Sequence, residues 1–243
     1  MSIRTAPVPA IVPAPARTTR ERRVTGVLPH LVMVSVLGLI YARVLAPEVG
    51  LSGQEALVSA GWFAAGLSAT LFVHELAHAL TATAMGHPVR TVHLDYLGGH
   101  VEFPADISGR ALLAAILAGP AVNLAAGASL AAGWWSAGAA LSTPVELAWA
   151  AVAAVNLLNG AFNLLPAPDL DGEVAIDAAL RCAGASAGTH TVIALLAGLA
   201  TAGALFAVAV VGSASLPVVV SAACGLYGVY VLHTSVQRAR GRG

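Results

Sequence analysis

Six apolar stretches, each close to the length of a membrane-spanning helix, constrain this chain more than any other feature of its sequence. Because the hydrocarbon core of a bilayer is about 30 Å thick, a helix needs roughly 20 apolar residues to cross it. Of the 243 residues, 58% are hydrophobic and only 10% are charged, which is unlike a soluble globular domain. The sequence therefore predicts an all-α polytopic membrane protein with about six transmembrane helices. The predicted spans are 28–46, 57–85, 111–133, 145–165, 190–211 and 216–234.

The segments that flank the apolar region are basic. Residues 1–26 are rich in Pro and Ala and carry a cluster of arginines, which predicts a disordered N-terminal tail. Residues 237–243 form a basic C-terminal tail, and the integral-membrane domain is expected over 27–236. Arginines in both tails are placed to contact anionic lipid headgroups. The expected partner of these tails is therefore the lipid bilayer, and nucleic-acid binding has little support.

The distribution of arginines predicts the orientation in the membrane. Cytoplasmic loops carry an excess of basic residues, and six spans place both termini on the same side. With both termini in the cytoplasm, eleven of the twelve arginines are cytoplasmic and only Arg43 lies outside. We therefore expect a multi-pass protein of the plasma membrane with cytoplasmic termini. The ends of the second and fourth spans then lie at the cytoplasmic face.

Two loops on that face have recognisable patterns. In the insert 87–110, the segments TVHLDYL and HVEF flank Gly98-Gly99, and alternation around a Gly-Gly pair predicts a β-hairpin. After the fourth span, the sequence LPAPDLDGEVAIDAALRCAG predicts a Pro-rich loop followed by a short amphipathic helix.

The second span carries three ionisable side chains in an otherwise uncharged segment, His74, Glu75 and His78. Ionisable groups in a membrane are costly, so a function is the first hypothesis for them. Residues at i and i+4 lie on one face of a helix, so both imidazoles can bind one Zn²⁺. The glutamate of such an HExxH pattern can act as a general base toward water. The alternative is a polar cluster that only bonds neighbouring helices.

A hydrolytic zinc site usually has three protein ligands and one position open to water. The metzincin continuation of HExxH is absent, because Thr81 and Ala84 occupy the positions of its Gly and third His. The third ligand must come from elsewhere on the same membrane face, and spacing alone leaves six candidates: Asp95, His100, Glu102, Asp169, Asp171 and Glu173.

The fourth span carries a stripe of asparagines, Asn156, Asn159 and Asn163, at helical spacing. Hydrogen bonding between neighbouring helices is the favoured interpretation of such a stripe in a membrane protein.

Four motifs along the chain resemble those of the site-2 proteases, which are intramembrane zinc metalloproteases. They are HELAH on a predicted transmembrane helix, the Gly98-Gly99 hairpin, a GPxxN element at 119–123, and NLLPAPDLDG at 163–172. The resemblance covers about 57–180, the expected catalytic core. Many members read DGG where this chain has Asp171-Gly172-Glu173. No stretch has room for the PDZ or CBS domains that members often carry, so we expect a minimal form.

The resemblance implies a metalloendopeptidase with one Zn²⁺ per chain that hydrolyses peptide bonds of single-span or membrane-anchored proteins. By position, Asp171 is the third metal ligand beside the two histidines of HELAH, and Glu75 is the catalytic acid–base group. Asn123 is implied to lie near the catalytic centre, where it would donate to the substrate carbonyl or its oxyanion. The strand edge at Gly98 and Gly99 would hold the substrate by β-augmentation.

Two other functions remain open from the sequence. A membrane transporter or metal carrier would hold a passing ion on the same side chains, but it predicts polar residues along several spans, whereas here they gather at one depth. A catalytically inactive relative would bind single-span proteins without cutting them, and the intact HELAH and LDG sequences argue against it.

Overall fold

The computed structural model describes residues 23–95, 98–137, 143–212 and 218–241. These residues form seven helices, most of them built from long runs of Ala, Leu and Val, together with one small sheet. The all-α membrane class that the sequence predicts is confirmed. In chain order the helices are α1 Val27–Glu48, α2 Gly53–Ala84, α3 Gly109–Ala137, α4 Thr143–Asn163, α5 Asp171–Cys182, α6 Ala187–Gly212 and α7 Val218–Gly241.

Five helices in the described part of the chain are long and apolar enough to cross a membrane: α1, α2, α3, α4 and α6. They correspond to the first five predicted spans. The sixth predicted span coincides with α7 from residue 218 onward, and its first two residues lie outside the described ranges. Helix α5 has 12 residues, too few to span a bilayer, and it is the short amphipathic helix that the sequence predicts.

A three-stranded sheet lies beside the first helix. Its strands are β1 Arg23–Thr25, β2 Thr91–Asp95 and β3 Gly98–Val101, in the order β1-β2-β3. Strands β2 and β3 are antiparallel, so the structure contains the predicted hairpin. The glycine pair, however, is not its turn, because Gly98 pairs with Asp95 and Gly99 with Leu94 within the ladder. The residues that connect the strands, 96 and 97, lie outside the described part.

Strand β1 corrects part of the predicted disordered tail. Residues 23–25 pair in parallel with β2, and the Arg23 amide donates to the carbonyl of Arg90 at 3.0 Å. These backbone groups find partners only because the folded chain brings a distant strand to them, which local composition does not reveal. Residues 1–22 of the predicted tail lie outside the described ranges.

Helix α2 packs against both α3 and α4. One buried hydrogen bond joins α2 to α4 just before the HELAH sequence. The Asn156 side-chain amide donates to the Thr70 hydroxyl at 2.8 Å and to the carbonyl of Val152 at 2.9 Å. Thr70 lies one helical turn before His74. The interhelical role favoured for the asparagine stripe is therefore observed at Asn156, and it sets the height of α2 relative to α4.

Candidate metal centre

The two histidines of HELAH face the same point. His74 and His78 lie one turn apart on α2 and are 5% and 3% exposed. Their Nε2 atoms are 3.1 Å apart and the rings are nearly perpendicular, with an interplanar angle of 88°. Both lone-pair nitrogens are therefore available to one small ion, as the i, i+4 spacing predicts.

Asp171 completes a group of three side chains of the types that bind metal ions. It is the first residue of α5, and its Oδ2 atom lies 3.1 Å from His74 Nε2 and 3.4 Å from His78 Nε2. In a tetrahedral zinc site with bonds of about 2.0 to 2.1 Å, neighbouring ligand atoms are about 3.3 Å apart. The three donor atoms have this spacing, so the side chains fit Zn²⁺. Among the described residues, no other group of three His, Cys, Asp or Glu side chains is close enough to hold an ion.

The hydrogen bond on the far side of the His78 ring supports the same conclusion. Its Nδ1 atom lies 2.8 Å from the carbonyl oxygen of Ala115 on α3. A carbonyl only accepts, so Nδ1 carries the proton and donates it. The Nε2 lone pair then points to the shared position, and the ring is oriented as outer contacts orient metal-binding histidines.

Gly119 leaves the space that the two imidazoles occupy. A Cβ at this position would lie 2.4 Å from Nε2 and Cε1 of His78 and 2.8 Å from Nε2 of His74. Any side chain there would overlap the two imidazoles, so α3 can approach α2 this closely only with glycine. The GPxxN motif contains this glycine, but its contact with both histidines was not foreseen from the sequence.

Glu75 lies beside the group and is 5% exposed. It faces the hairpin, because a Cβ on Gly99 would lie 2.7 Å from Cγ of Glu75. The absence of a side chain at Gly99 therefore lets β3 lie directly over this carboxylate. A cavity of about 660 Å³ opens at this point, and its walls include the histidine pair, Glu75, Asp171 and strand β3.

The other candidates for the third ligand are engaged elsewhere. His100 Nδ1 lies 3.2 Å from Asp95 Oδ2, and Glu102 Oε1 lies 3.1 Å from His93 Nε2. Asp169 and Glu173, which line the cavity as Asp95 and His100 do, both accept hydrogen bonds from Arg238. Folding therefore brings Asp171 alone of the six candidates to the histidine pair.

The asparagines of α3 and α4 have different surroundings in the structure. Asn123 is 1% exposed, its Nδ2 atom has no hydrogen-bond partner in the described residues, and it lies one helical turn after Gly119. Asn159 and Asn163 line the cavity instead, where the Asn163 amide donates to Oδ1 of Asn159 at 3.3 Å. The helical spacing of these two residues with Asn156 marks them in the sequence as one polar stripe. The interhelical role that this stripe predicts is observed at Asn156, whereas Asn159 and Asn163 face the cavity.

Comparison with known proteins gives one similarity in sequence and one in fold. No protein-family model matches the chain. Over 110 residues it is 40% identical to Rip3 of Mycobacterium tuberculosis, found in two strains and provisionally named a zinc metalloprotease. This match covers 44% of the chain and 28% of Rip3, so the chain spans under a third of the length of these relatives. The structure is similar to the site-2 protease from Methanocaldococcus jannaschii, with a TM-score of 0.51 and 20% identity over 85% of this chain and 88% of that one.

Fold and site together define a helical membrane protein with a His–His–Asp group at the end of its second spanning helix. The resemblance to the site-2 proteases that the four motifs predict is confirmed in fold by the Methanocaldococcus protein. The similarity in sequence is to a protein named as a zinc metalloprotease.

Proposed function

We propose that this protein is an intramembrane zinc endopeptidase that hydrolyses peptide bonds of membrane-spanning proteins. The observation that carries the proposal is the convergence of His74, His78 and Asp171 beside the buried carboxylate of Glu75. The two histidines and Glu75 belong to α2, a helix long and apolar enough to span a membrane. The names of the similar proteins, a zinc metalloprotease and a site-2 protease, support the same chemistry.

In this proposal the three side chains hold one Zn²⁺ per chain. When bound, zinc acts as a Lewis acid and lowers the pKa of water toward neutrality. Glu75 accepts a proton from the attacking water and then passes it to the leaving amine. Because Glu75 is almost fully buried, its carboxylate acts in a sheltered environment where electrostatic interactions are strong.

Strand β3 is the proposed binding site for the scissile segment. Strand β1 occupies one edge of β2, so the outer edge of the sheet next to the cavity belongs to β3. An extended peptide can add to such an edge through main-chain hydrogen bonds. Gly98 and Gly99 keep this edge free of side chains at Glu75, so a substrate strand there would lie over the catalytic carboxylate. The substrate helix must unwind locally first, since its carbonyls are otherwise engaged in helical hydrogen bonds.

Asn123 remains a proposed donor to the substrate carbonyl or its oxyanion. Its buried amide, which has no hydrogen-bond partner among the described residues, supports that role, although Asn159 and Asn163 are the asparagines that line the cavity. We further propose a plasma-membrane location with cytoplasmic termini, which rests on the arginine distribution.

The proposal is tested by purifying the full chain in detergent, measuring its zinc content and incubating it with candidate single-span proteins. The matched control is Glu75→Gln, which keeps the size of the side chain and removes the base. We expect stoichiometric zinc in both proteins and cleavage only by the unmodified one. Zinc binding with no cleavage of any candidate would favour the inactive relative, and loss of zinc from folded Glu75→Gln would contradict the division of roles.

A further inference from the structure

Helix α7 contacts the segment that carries Asp171 through polar side chains. Arg238 donates a hydrogen bond from one guanidinium nitrogen to Oδ1 of Asp169 at 2.7 Å, and a second from the other nitrogen to Oε2 of Glu173. Tyr230 donates its hydroxyl to the second oxygen of Asp169. The carboxylates two residues before and two residues after Asp171 are thus both held by α7.

Arginine suits this arrangement better than lysine would. Its planar guanidinium presents several donors in a fixed fork, so one side chain can bridge two carboxylates with defined geometry. The side chains of Arg238 and Glu173 are 35% and 21% exposed, so their ion pair is partly sheltered from water. The hydrogen bond with Glu173 raises the pKa of Arg238 above its ordinary value, and the guanidinium stays charged.

The backbone at Asp169 shows that this segment is held in an unfavourable conformation. Its φ is 66°, and it is the one residue other than glycine with a positive φ in the described part of the chain. Such a conformation persists only where surrounding contacts fix it. Both carboxylate oxygens of Asp169 accept hydrogen bonds from α7, so α7 supplies contacts of that kind.

Apolar packing joins the same two parts of the molecule. Val231 of α7 is fully buried and clusters with Ala167, and Leu170 packs against this cluster. Leu170 is the residue immediately before Asp171. The polar contacts of Arg238 and Tyr230 therefore occur where α7 also packs against the loop before α5 through apolar side chains.

These contacts also affect which carboxylate can reach a metal. Asp169 and Glu173 are of the same chemical type as Asp171 and line the same cavity. Their oxygens are engaged by Arg238 and Tyr230, whereas Asp171 is directed to the histidine pair.

We propose that Arg238 and Tyr230 are positioning residues that hold Asp171 against the histidine pair and keep the two neighbouring carboxylates away from the metal. This inference rests on the proposed zinc site, and it gives the C-terminal helix, which lies beyond the motifs of the family, a defined role in building that site.

The test is the affinity of the purified full chain for Zn²⁺ alone, measured by competition with a chromophoric chelator and without substrate. Arg238→Met keeps an unbranched apolar side chain and removes the guanidinium group with its hydrogen-bond donors. We expect about a tenfold loss of affinity, the lower end of the range for outer contacts of metal ligands. Arg238→Lys keeps the charge but not the fork, so its affinity should lie between those of Arg238→Met and the unmodified chain.

The matched control is Arg240→Met, because Arg240 lies in the same last turn of α7, is exposed, and makes no ion pair with the described residues. It should bind Zn²⁺ as tightly as the unmodified chain. An equal loss in Arg240→Met would assign the effect to the net charge of the helix end and would overturn the proposal, as would unchanged affinity in Arg238→Met.

Tyr230→Phe keeps the test decisive if Arg238→Met does not fold, since it removes one hydroxyl from a partly exposed ring. A loss of severalfold in Zn²⁺ affinity is expected, with an altered absorption spectrum when Co²⁺ replaces zinc. An unchanged affinity and spectrum would overturn the role of Tyr230. Failure of the proposed function would be seen in the unmodified chain instead. That chain would then bind no zinc, or would bind zinc tightly without cleaving any candidate single-span protein.

Discussion

Replacing Gly119 with alanine should weaken zinc binding although none of the three proposed ligands is itself substituted. The new methyl would lie 2.4 Å from the ring of His78 and 2.8 Å from Nε2 of His74. The closer of these contacts is about 1 Å shorter than an ordinary van der Waals contact between such atoms. Either the imidazoles rotate away from their shared position, or α3 moves away from α2 and takes the Ala115 carbonyl with it.

The size of the effect follows from these distances. Zinc–ligand bonds tolerate deviations of about 0.2 Å, so a displacement near 1 Å is too large for the site to absorb. We expect a loss of about a hundredfold in Zn²⁺ affinity, the upper end of the range for changes around metal ligands. At about 1.4 kcal/mol for each factor of ten, this loss corresponds to about 2.8 kcal/mol. Overpacking should also destabilise the fold by about 1 to 3 kcal/mol.

Gly133→Ala is the matched control, because Gly133 lies in the same helix and a Cβ there would meet nothing within 4 Å. Alanine is a better helix former than glycine by about 1 kcal/mol, so this variant should bind zinc normally and melt at the same or a higher temperature. Zinc affinity by chelator competition and thermal unfolding in detergent are the measurements. Unchanged zinc affinity in Gly119→Ala would refute the assignment of the histidine pair as the metal site.

Three further outcomes are expected. Asp171→Ala should lose both zinc and cleavage. Asp169→Ala and Glu173→Ala should retain zinc in metal analysis at saturating metal, with a loss of Zn²⁺ affinity no larger than that of Arg238→Met and at most a partial loss of rate; the reverse pattern would assign the third ligand to another carboxylate. Gly99→Ala should retain zinc but lose most cleavage, since a Cβ would lie 2.5 Å from the His93 carbonyl oxygen and 2.7 Å from Cγ of Glu75, so that β3 and the carboxylate cannot both keep their positions. Normal turnover by this variant would contradict the placement of β3 over Glu75. With the other native cysteine replaced by alanine, the exposed thiol of Cys182 should resist a membrane-impermeant reagent added to intact cells and react in inverted vesicles, so that labelling from outside would reverse the proposed topology.

Local sequence determined the helices long enough to span a membrane and half of the proposed metal site. Runs of about 20 apolar residues can satisfy their backbone hydrogen bonds in a bilayer only as helices, so the spans follow from composition and length. The i, i+4 spacing of His74 and His78 places both rings on one face whatever surrounds the helix. The position of Glu75 beside the pair follows from its adjacency to His74 in the chain, which the sequence also shows.

The tertiary structure decided the rest, because it depends on residues far apart in the chain. Six carboxylate and imidazole candidates were equivalent by spacing, and the motif resemblance pointed to Asp171. Only the folded chain shows that Arg238 and Tyr230, about 60 residues further on, engage Asp169 and Glu173. The pairing of residues 23–25 with the hairpin is likewise invisible locally, since those backbone groups acquire partners only when distant segments meet. Periodicity fixes which face of a helix a side chain occupies, but what that face meets is set by packing between helices.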